Sequence, residues 1–255
     1  MTLYCEVRGD GEDLVLLHGW GMNAAVWDDV AADLAKHFRV HCVDLPGHGN
    51  SCAGELYTLA TMTGALAAAM PRPAVVCGWS LGGQVALNWA LHAPHQVARL
   101  VLIATTPRFV NGAQWDSGID TALLDGLERD LADDCRAVLQ RFLAMQARND
   151  ADARLVLRRL RGMMLDRGEP AVEALAAGLR ILKETDLRDA LPQIAQPALI
   201  LHGERDAVVP LAAGAYLQRA LPRALLEVYA KAAHAPFVAH PRRTAQRIAE
   251  FCRER

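Results

Sequence analysis

Three side chains that lie far apart in the sequence, Ser80, Asp206 and His234, are of the types that together cleave esters and related acyl compounds. Ser80 lies in the segment Gly-Trp-Ser-Leu-Gly at 78–82, between a short apolar run and a stretch of helical composition. A serine between glycines where a strand turns into a helix is typical of a nucleophile elbow. The turn is so sharp that side chains at its flanks would collide with it, which explains the two glycines.

The expected elbow presents the Ser80 hydroxyl beside the start of a helix, whose free N–H groups favour developing negative charge. A serine hydroxyl is a poor nucleophile until a base removes its proton. His234 follows the last predicted strand and is the candidate base, and Asp206 lies in the loop after the preceding strand and is the candidate acid. His234 would accept the Ser80 proton and later donate it to the leaving group, while Asp206 would fix the imidazole tautomer. We therefore predict a catalytic triad.

Other residues compete for the roles of acid and base. Glu204 is the alternative acid, but Asp206 is better placed on the loop. His240, next to a proline that starts a helix, is the alternative base. Five further histidines are expected at helix ends, in loops or in strands, where solvated or structural roles suffice: His37, His41, His92, His95 and His202.

Hydrolysis through a serine also needs two hydrogen-bond donors for the oxyanion of the tetrahedral intermediate. One should be the backbone N–H of Leu81, directly after the nucleophile. The other should come from the loop after an early strand, where His-Gly-Trp-Gly at 18–21 offers the backbone N–H of Trp20. We expect the indole of Trp20 to line the pocket as well.

The surrounding elements alternate between strands and helices, which is typical of a parallel sheet covered on both faces. Short apolar runs predict buried strands, and Asn23 and Thr58 are candidate helix caps. The segment 44–51 is interpreted as a glycine-dependent structural turn. We predict an α/β fold with a mostly parallel sheet and helices on both of its faces. Strands are predicted at 3–8, 14–17, 40–44, 74–77, 97–105, 198–202 and 224–229, and helices at 23–36, 58–70, 84–93, 210–220 and 241–253.

The segment 107–190 departs from this alternation, because it contains no convincing strand. Apolar residues recur there at helical spacing in three stretches, 139–146, 155–164 and 172–182. An all-helical block between two strands of one sheet indicates a cap over the carboxyl edge of the sheet, where the ligand sites of α/β proteins lie. We therefore predict a core of 1–106 and 191–255 with an inserted all-helical cap of 107–190.

The composition of the 255-residue chain narrows the classes of function. A net charge of −2 gives no reason to expect a nucleic acid or an anionic membrane as partner. Charged residues occur too close to the start of the sequence, within Met-Thr-Leu-Tyr-Cys-Glu-Val-Arg, for a secretory signal to be expected. No stretch approaches the roughly 18 apolar residues of a membrane span. The six cysteines are scattered without a Cys-x-x-Cys pair, which favours reduced thiols over a disulfide or metal framework. We expect a cytoplasmic monomer that needs no metal or organic cofactor.

Along its whole length the chain resembles the α/β hydrolases. Three stretches resemble, more specifically, the BioH-type family of pimeloyl-[acyl-carrier protein] methyl ester esterases: Leu-His-Gly-Trp-Gly at 17–21, Gly-Trp-Ser-Leu-Gly-Gly at 78–83 and Ala-Lys-Ala-Ala-His-Ala-Pro-Phe at 230–237. The stretches 141–146 and 184–188 are similar to that family as well. The resemblance implies hydrolysis of the methyl ester of a pimeloyl chain carried on acyl carrier protein in biotin synthesis, with release of methanol.

The resemblance also implies two sets of contact residues. The acidic acyl carrier protein would dock on basic residues of the cap, Arg141, Arg154 and Arg158. The charge distribution suits such a partner, because seven arginines and two aspartates give the stretch 136–161 a charge of +5 and leave −7 for the rest of the chain. Contacts with the substrate would be made by Trp20, Ser80, Leu81, Phe142, Leu143, Ala144, Met145, Gln146 and His234.

Other functions share these sequence features. A carboxylesterase for small esters or a lactonase would use the same triad on a different substrate. A carbon–carbon bond hydrolase would usually need more polar groups in the pocket than this sequence shows. A haloalkane dehalogenase would have a carboxylate in place of Ser80. A ligand receptor on the same fold would keep the triad without multiple turnover and respond through movement of the cap.

Overall fold

A seven-stranded sheet forms the centre of the structure, a computed structural model that describes residues 2–54, 56–70 and 73–254. Its strands are β1 (Cys5–Arg8), β2 (Glu12–Leu17), β3 (Phe38–Val43), β4 (Ala74–Trp79), β5 (Val97–Ile103), β6 (Ala198–Gly203) and β7 (Ala224–Tyr229). They lie in the order β1-β3-β2-β4-β5-β6-β7. The edge strand β1 runs antiparallel to β3, and the other neighbouring strands pair in parallel. The predicted α/β fold with a mostly parallel sheet is confirmed.

The α-helices of the described residues connect these strands. None of these helices is both long enough and apolar enough to cross a membrane. Short 3₁₀ segments occur at Ala24–Trp27, Pro94–Gln96 and Arg188–Gln193. The helices are α1 (Asp28–Leu34), α2 (Leu59–Ala69), α3 (Leu81–His92), α4 (Thr121–Leu131), α5 (Cys135–Ala147), α6 (Ala153–Leu165), α7 (Val172–Glu184), α8 (Leu211–Ala220), α9 (Pro236–Ala239) and α10 (Pro241–Arg253).

The central strands carry the core. Every residue of β4 and of β6 is buried, as expected of parallel strands with both faces covered. Their carboxyl ends deliver two of the loops on which the candidate site depends, the turn at Ser80 and the loop that contains Asp206. Because buried strands have a fixed register, the sheet fixes the positions from which these two side chains extend.

Two helices of the predicted core differ from their expected ranges by more than one residue at an end. Helix α3 begins at Leu81 instead of Gln84, because the turn at Ser80 passes directly into the helix. The helix expected over 23–36 is divided into a 3₁₀ segment and the short α1. Asn23 caps the 3₁₀ segment, and its side chain accepts a hydrogen bond from the N–H of Ala25 at 3.0 Å.

The segment between β5 and β6 contains four helices, α4 to α7, where three were predicted. Helix α4 has its own signal, since its buried Leu124, Leu127 and Leu131 recur every three to four residues. Asp120 caps it by accepting a hydrogen bond from the N–H of Ala122. Before α4, isolated bridges such as Val110 with Ile119 replace regular strands.

The turn at 44–51 is held by one buried carboxylate. Asp44 accepts hydrogen bonds from the N–H of Ala24 at 2.6 Å and from the N–H of Asn50 at 2.9 Å. Gly49 has a φ of 53°, and a Cβ at this position would lie 2.3 Å from the Asp44 carboxylate. The turn thus ties the end of β3 to the loop after β2, in agreement with the structural role expected for it.

His48 lies fully buried inside this turn. Its Nδ1–H donates a hydrogen bond to the carbonyl of Pro46 at 3.0 Å. Burial disfavours the charged imidazolium and lowers the pKa of His48 from 6.5 to about 4. The folded protein therefore holds a neutral imidazole here at pH values where the unfolded chain would already be protonated.

We expect His48 to make the fold sensitive to acid. Between pH 6.5 and 4 the unfolded chain binds a proton that the folded chain does not, so the free energy of unfolding falls as the pH falls. The loss from this group is roughly 2 to 3 kcal/mol at pH 4.5. The variant His48→Asn keeps a nitrogen donor for Pro46 and should show a shallower loss in urea unfolding between pH 7.5 and pH 4.5. Equal pH dependence in both proteins would contradict this account.

Candidate active site

The turn at Ser80 has the geometry of a nucleophile elbow. Ser80 has φ 55° and ψ −116°, a conformation that costs backbone strain in a residue other than glycine. A Cβ on Gly78 would lie 2.2 Å from the Gly82 carbonyl oxygen, and a Cβ on Gly82 would lie 2.5 Å from the Leu17 carbonyl oxygen. Both flanking glycines are therefore sterically required, for the reason that the sequence indicated.

Hydrogen bonds hold this turn in place. The N–H of Ser80 donates to the carbonyl of Ile103 at 3.0 Å, and the Ser80 carbonyl accepts from the Thr105 hydroxyl at 2.7 Å. A Cβ on Gly83 would lie 2.5 Å from the Thr105 side chain, so Thr105 packs closely under the start of α3. This role of Thr105 was not predicted, because an isolated threonine after a strand carries no local sequence signal for a contact with the turn.

His234 and Asp206 lie in contact at the carboxyl edge of the sheet. The Nδ1–H of His234 donates to Oδ2 of Asp206 at 2.8 Å, and both side chains are fully buried. The other oxygen of Asp206 accepts from the N–H groups of Val208 and Val209, each at 2.8 Å. This arrangement fixes the tautomer of His234 that leaves Nε2 unprotonated and able to accept a proton.

The alternative acid and base lie elsewhere. Glu204 is exposed and accepts a hydrogen bond from the N–H of Lys231 at 2.8 Å. His240 lies beside Tyr229, with 6.0 Å between the ring centroids, and immediately precedes α10. Neither residue is joined to the other by a hydrogen bond among the described residues, whereas His234 and Asp206 are.

Trp79 links His234 to the elbow. Its indole N–H donates to the carbonyl of His234 at 2.9 Å, and its ring centroid lies 5.6 Å from that of the imidazole. The hydroxyl of Ser80 and Nε2 of His234 are both buried, and neither has a hydrogen-bond partner among the described residues. Unpaired buried polar atoms are costly, and here they are the two atoms between which the proton would pass.

The candidate oxyanion donors lie on both sides of Ser80. Leu81 is the first residue of α3, so its N–H has no partner within the helix. A Cβ on Gly19 would lie 3.3 Å from the Ser80 Cβ, which shows that the loop after β2 passes directly beside the candidate nucleophile. Within the described chain, no group accepts a hydrogen bond from the backbone N–H of Trp20. Both N–H groups are thus free to bind an oxyanion.

His18 fixes this loop, a role that the sequence analysis did not assign. Its Nε2 accepts from the N–H of Leu45 at 2.9 Å, and its Nδ1–H donates to the carbonyl of Gly19 at 2.8 Å. Complete burial lowers the pKa of His18 well below its usual value, so the ring is neutral in this tautomer. The signal in the sequence was its position directly after a buried strand and before Gly-Trp-Gly.

Helices of the 107–190 segment cover the site. The indole N–H of Trp20 donates to the carbonyl of Leu175 in α7 at 2.8 Å, and its ring packs edge-on against Phe142 of α5 at 4.8 Å. Ser80 is 2% exposed and His234 is 0% exposed. Ser80 and His234 are thus almost completely shielded from solvent beneath these helices.

The segment 142–146 on α5 contributes only one face to the interior. Phe142, Leu143 and Gln146 are buried, Met145 is half-buried, and Ala144 is exposed. The structure thus brings the buried members of this predicted contact segment inward and leaves Ala144 on the outer face of the helix, because a run of five consecutive residues spans more than one helix face.

Outside this site, a row of a cysteine, a histidine and an aspartate lies at the sheet edge. The Sγ of Cys5 is 3.8 Å from His41 Nδ1, and His41 Nε2 is 2.7 Å from Asp13 Oδ1. Burial, together with the negative charges of Asp44 and Glu6, raises the pKa of Cys5 to about 11. The thiol is therefore protonated near neutral pH and is a poor nucleophile. Across the described residues, no cluster of three or more His, Cys, Asp or Glu side chains could hold a metal ion.

The three arginines expected to dock a partner differ in their surroundings. Arg141 is paired with Asp130 at 2.6 Å on the surface. Arg154 and Arg158 are exposed one turn apart on α6, and neither forms an ion pair with a described residue. Arg161 continues the same exposed face. The opposite face of α6 is buried through Val156 and Leu160.

Comparison with known proteins agrees with this architecture. The family model for the alpha/beta hydrolase fold matches residues 14–241. Among solved structures, an esterase from Exiguobacterium antarcticum superimposes with a TM-score of 0.89 at 24% sequence identity and covers 99% of this chain and 96% of its own. At this identity the likeness supports the fold alone.

Curated relatives are more similar in sequence. A pimeloyl-[acyl-carrier protein] methyl ester esterase from Nitrosomonas europaea is 45% identical over 241 residues, which cover 94% of this chain and 95% of the relative. An enzyme of the same name from Photobacterium profundum is 41% identical over 251 residues, covering 98% of each chain. The chain therefore belongs to the α/β hydrolase family and, within it, to the family of the pimeloyl-[acyl-carrier protein] methyl ester esterases.

Proposed function

We propose that this protein is a serine carboxylesterase that hydrolyses the methyl ester of pimeloyl-[acyl-carrier protein] in biotin synthesis. The observation that carries the chemistry is the buried pair of His234 and Asp206, joined at 2.8 Å beside a strained serine elbow. The near full-length similarity to esterases of that name supports the substrate.

In the proposed mechanism the Ser80 hydroxyl attacks the ester carbonyl while Nε2 of His234 takes its proton. The negative charge that develops on the carbonyl oxygen is bound by the N–H groups of Trp20 and Leu81. His234 then returns the proton to the departing methoxide, which leaves as methanol and yields an acyl-enzyme on Ser80. A water molecule, deprotonated by His234, cleaves this acyl-enzyme and restores the serine.

Asp206 acts in this scheme by stabilising one state of His234. Its carboxylate already accepts two backbone N–H groups on one oxygen, so it is held in position when the imidazole becomes charged. His202 supports the same loop, because its Nε2–H donates to the carbonyl of Val209 at 2.8 Å. Burial lowers the pKa of His202, which keeps it neutral and leaves His234 as the group that gains charge.

The proposed partner is acyl carrier protein bearing the pimeloyl methyl ester, docked on the cap formed by 107–190. The exposed Arg154 and Arg158 face solvent on α6 and would meet acidic residues of the carrier. Such charges act mainly on the rate of association and weaken with salt. Phe142, Leu143 and Trp20 supply apolar and aromatic surface for the acyl chain beneath the cap.

The proposed location of this reaction is the cytoplasm. All six cysteines are free, and one of them, Cys52, is exposed. Free thiols of this kind are typical of a reducing compartment.

The direct test is to incubate the protein with methyl pimeloyl carrier protein and to follow the mass of the carrier. We expect conversion to the free acid, seen as loss of one methylene mass, and no conversion with Ser80→Ala because the nucleophile is absent. The Ser80→Ala protein should still bind the substrate. An untouched carrier substrate, together with rapid turnover of a short p-nitrophenyl ester, would instead indicate a small-ester carboxylesterase.

Replacing the acid should distinguish Asp206 from its neighbour Glu204. Asp206→Asn can hold His234 in the wrong tautomer, so we expect kcat for a p-nitrophenyl ester to fall by about 10³- to 10⁴-fold. The matched control is Glu204→Gln, which changes a nearby carboxylate whose side-chain hydrogen bond among the described residues is with the Lys231 backbone, and this variant should retain near-normal kcat. If Glu204→Gln were the damaging change, the assignment of the acid would be wrong.

Charge reversal on α6 should separate carrier docking from catalysis. The double variant Arg154→Glu/Arg158→Glu should lower kcat/KM for the carrier-bound ester, flatten its dependence on salt, and spare small esters, because long-range attraction is lost while the triad is intact. Arg219→Glu/Arg223→Glu, two exposed arginines outside the 107–190 segment, makes the same charge change as a control. Equal loss in both double variants, or equal loss on both substrates, would contradict docking at this face.

A further inference from the structure

The turn between α5 and α6 is hydrogen-bonded to the loop that carries His234. The N–H of Ala151 donates to the carbonyl of Lys231 at 3.0 Å, and the N–H of His234 donates to the carbonyl of Gln146 at 3.2 Å. Between these two bonds, the N–H of Ala233 donates to Oδ2 of Asp150 at 2.7 Å. Three hydrogen bonds thus join a short part of the cap to the four residues that end at the candidate base.

Asp150 is the only side chain among these three links. Its other oxygen accepts from the N–H of Asp152 at 2.8 Å, and the residue is 8% exposed. No described cation forms an ion pair with it, so its charge is balanced by backbone N–H groups alone. Hydrogen bonds to an ionised carboxylate are stronger than those between neutral groups, which makes this the firmest of the three contacts.

The His234 loop is confined on its opposite side as well. A Cβ on Gly203 at the end of β6 would lie 2.0 Å from the Ala233 carbonyl oxygen. The peptide units of Ala233 are therefore clamped between the central sheet and Asp150. Without Asp150, the sheet would still limit the loop on one side, but the N–H of a buried residue would lose its acceptor.

We infer that Asp150 is a positioning residue for His234: its carboxylate, reaching from the cap, fixes the backbone just before the base so that the imidazole stays on Asp206. This inference deepens the proposed esterase function and rests on it for its catalytic consequence. It also means that the α5–α6 turn is part of the frame of the active site as well as part of its cover.

A purely structural role for Asp150 would be to stabilise the start of α6. The chain offers a matched control for that role, since Asp152 lies in the same turn, is exposed and makes no side-chain capping bond. Asp152→Ala removes the same charge from the same turn and leaves the acceptor for Ala233 in place. Asp150→Asn is the conservative variant, because its amide oxygen can still accept one of the two N–H groups.

The experiment compares wild type, Asp150→Ala, Asp150→Asn and Asp152→Ala by two readouts. The first is the low-field proton NMR signal of His234 Nδ1–H, assigned by its absence in His234→Ala. The second is kcat and KM for a short p-nitrophenyl ester. For Asp150→Ala we expect a broadened low-field signal and a kcat lower by about 10- to 100-fold with little change in KM, because a base displaced by a fraction of an ångström reacts slowly from a bound substrate. Asp150→Asn should recover part of both, and Asp152→Ala should match wild type.

A sharp, unshifted signal in Asp150→Ala would overturn the inference whatever the rate, and so would equal effects of Asp150→Ala and Asp152→Ala. If Asp150→Ala does not fold, Asp150→Asn decides, and wild-type values of both readouts in that variant would overturn the inference. Failure of the proposed function is seen separately, as absence of turnover by wild type. The NMR comparison does not depend on turnover and still tests the positioning role in that case.

Discussion

The steric constraint at the Ser80 turn is the condition on which the rest of the site depends. With φ at 55°, Ser80 occupies a conformation that it would not adopt alone, and it is held there because β4, α3 and the end of β2 approach too closely for any other path. The strain is compensated by the central position of β4, whose residues are all buried. The rigid sheet thereby fixes the candidate nucleophile, while the loops beside it bring the other groups.

Buried hydrogen bonds position the groups around Ser80, and each of these bonds holds its side chain in one orientation. His18 is neutral and fixes the loop of Trp20, Asp206 is held by two backbone N–H groups, and His234 is held by Asp206. Burial favours the neutral form of the histidines that only support the loops, as the lowered pKa values of His18 and His202 indicate. Of His18, His202 and His234, the candidate base His234 is the one whose Nε2 has no hydrogen-bond partner among the described residues.

Much of the core could be predicted from the sequence because its signals are local. The strands are short apolar runs, and the elbow needs glycines at fixed positions, so residues such as Gly78 and Gly82 carry information in their immediate neighbours. The pairing of His234 with Asp206 instead of Glu204 followed from chain order and loop position, and the structure brings those two side chains together. The signal for β7 is also local, and this strand occupies the range expected for it, Ala224–Tyr229.

The remaining features depend on tertiary contacts that leave no local pattern. Asp150 looks like a solvated turn residue in the sequence, yet it is buried because the His234 loop lies against it. The expected contact segment is the continuous run 142–146, which includes Ala144, and helix geometry turns the Ala144 side chain outward. Helix α4 has amphipathic spacing that the prediction did not use. A cap over this edge of the sheet was expected, but the near-complete burial of Ser80 depends on contacts between separate segments.

The central claim is that Ser80 forms a covalent acyl intermediate, and rapid acid quenching tests it most directly. The protein would be mixed with a p-nitrophenyl acyl ester, quenched within the first turnover, digested with pepsin and examined by mass spectrometry. The account predicts the acyl mass on the peptide that contains Ser80 and on no other peptide. An unmodified Ser80 peptide during active turnover, or acylation at Cys5 instead, would contradict it.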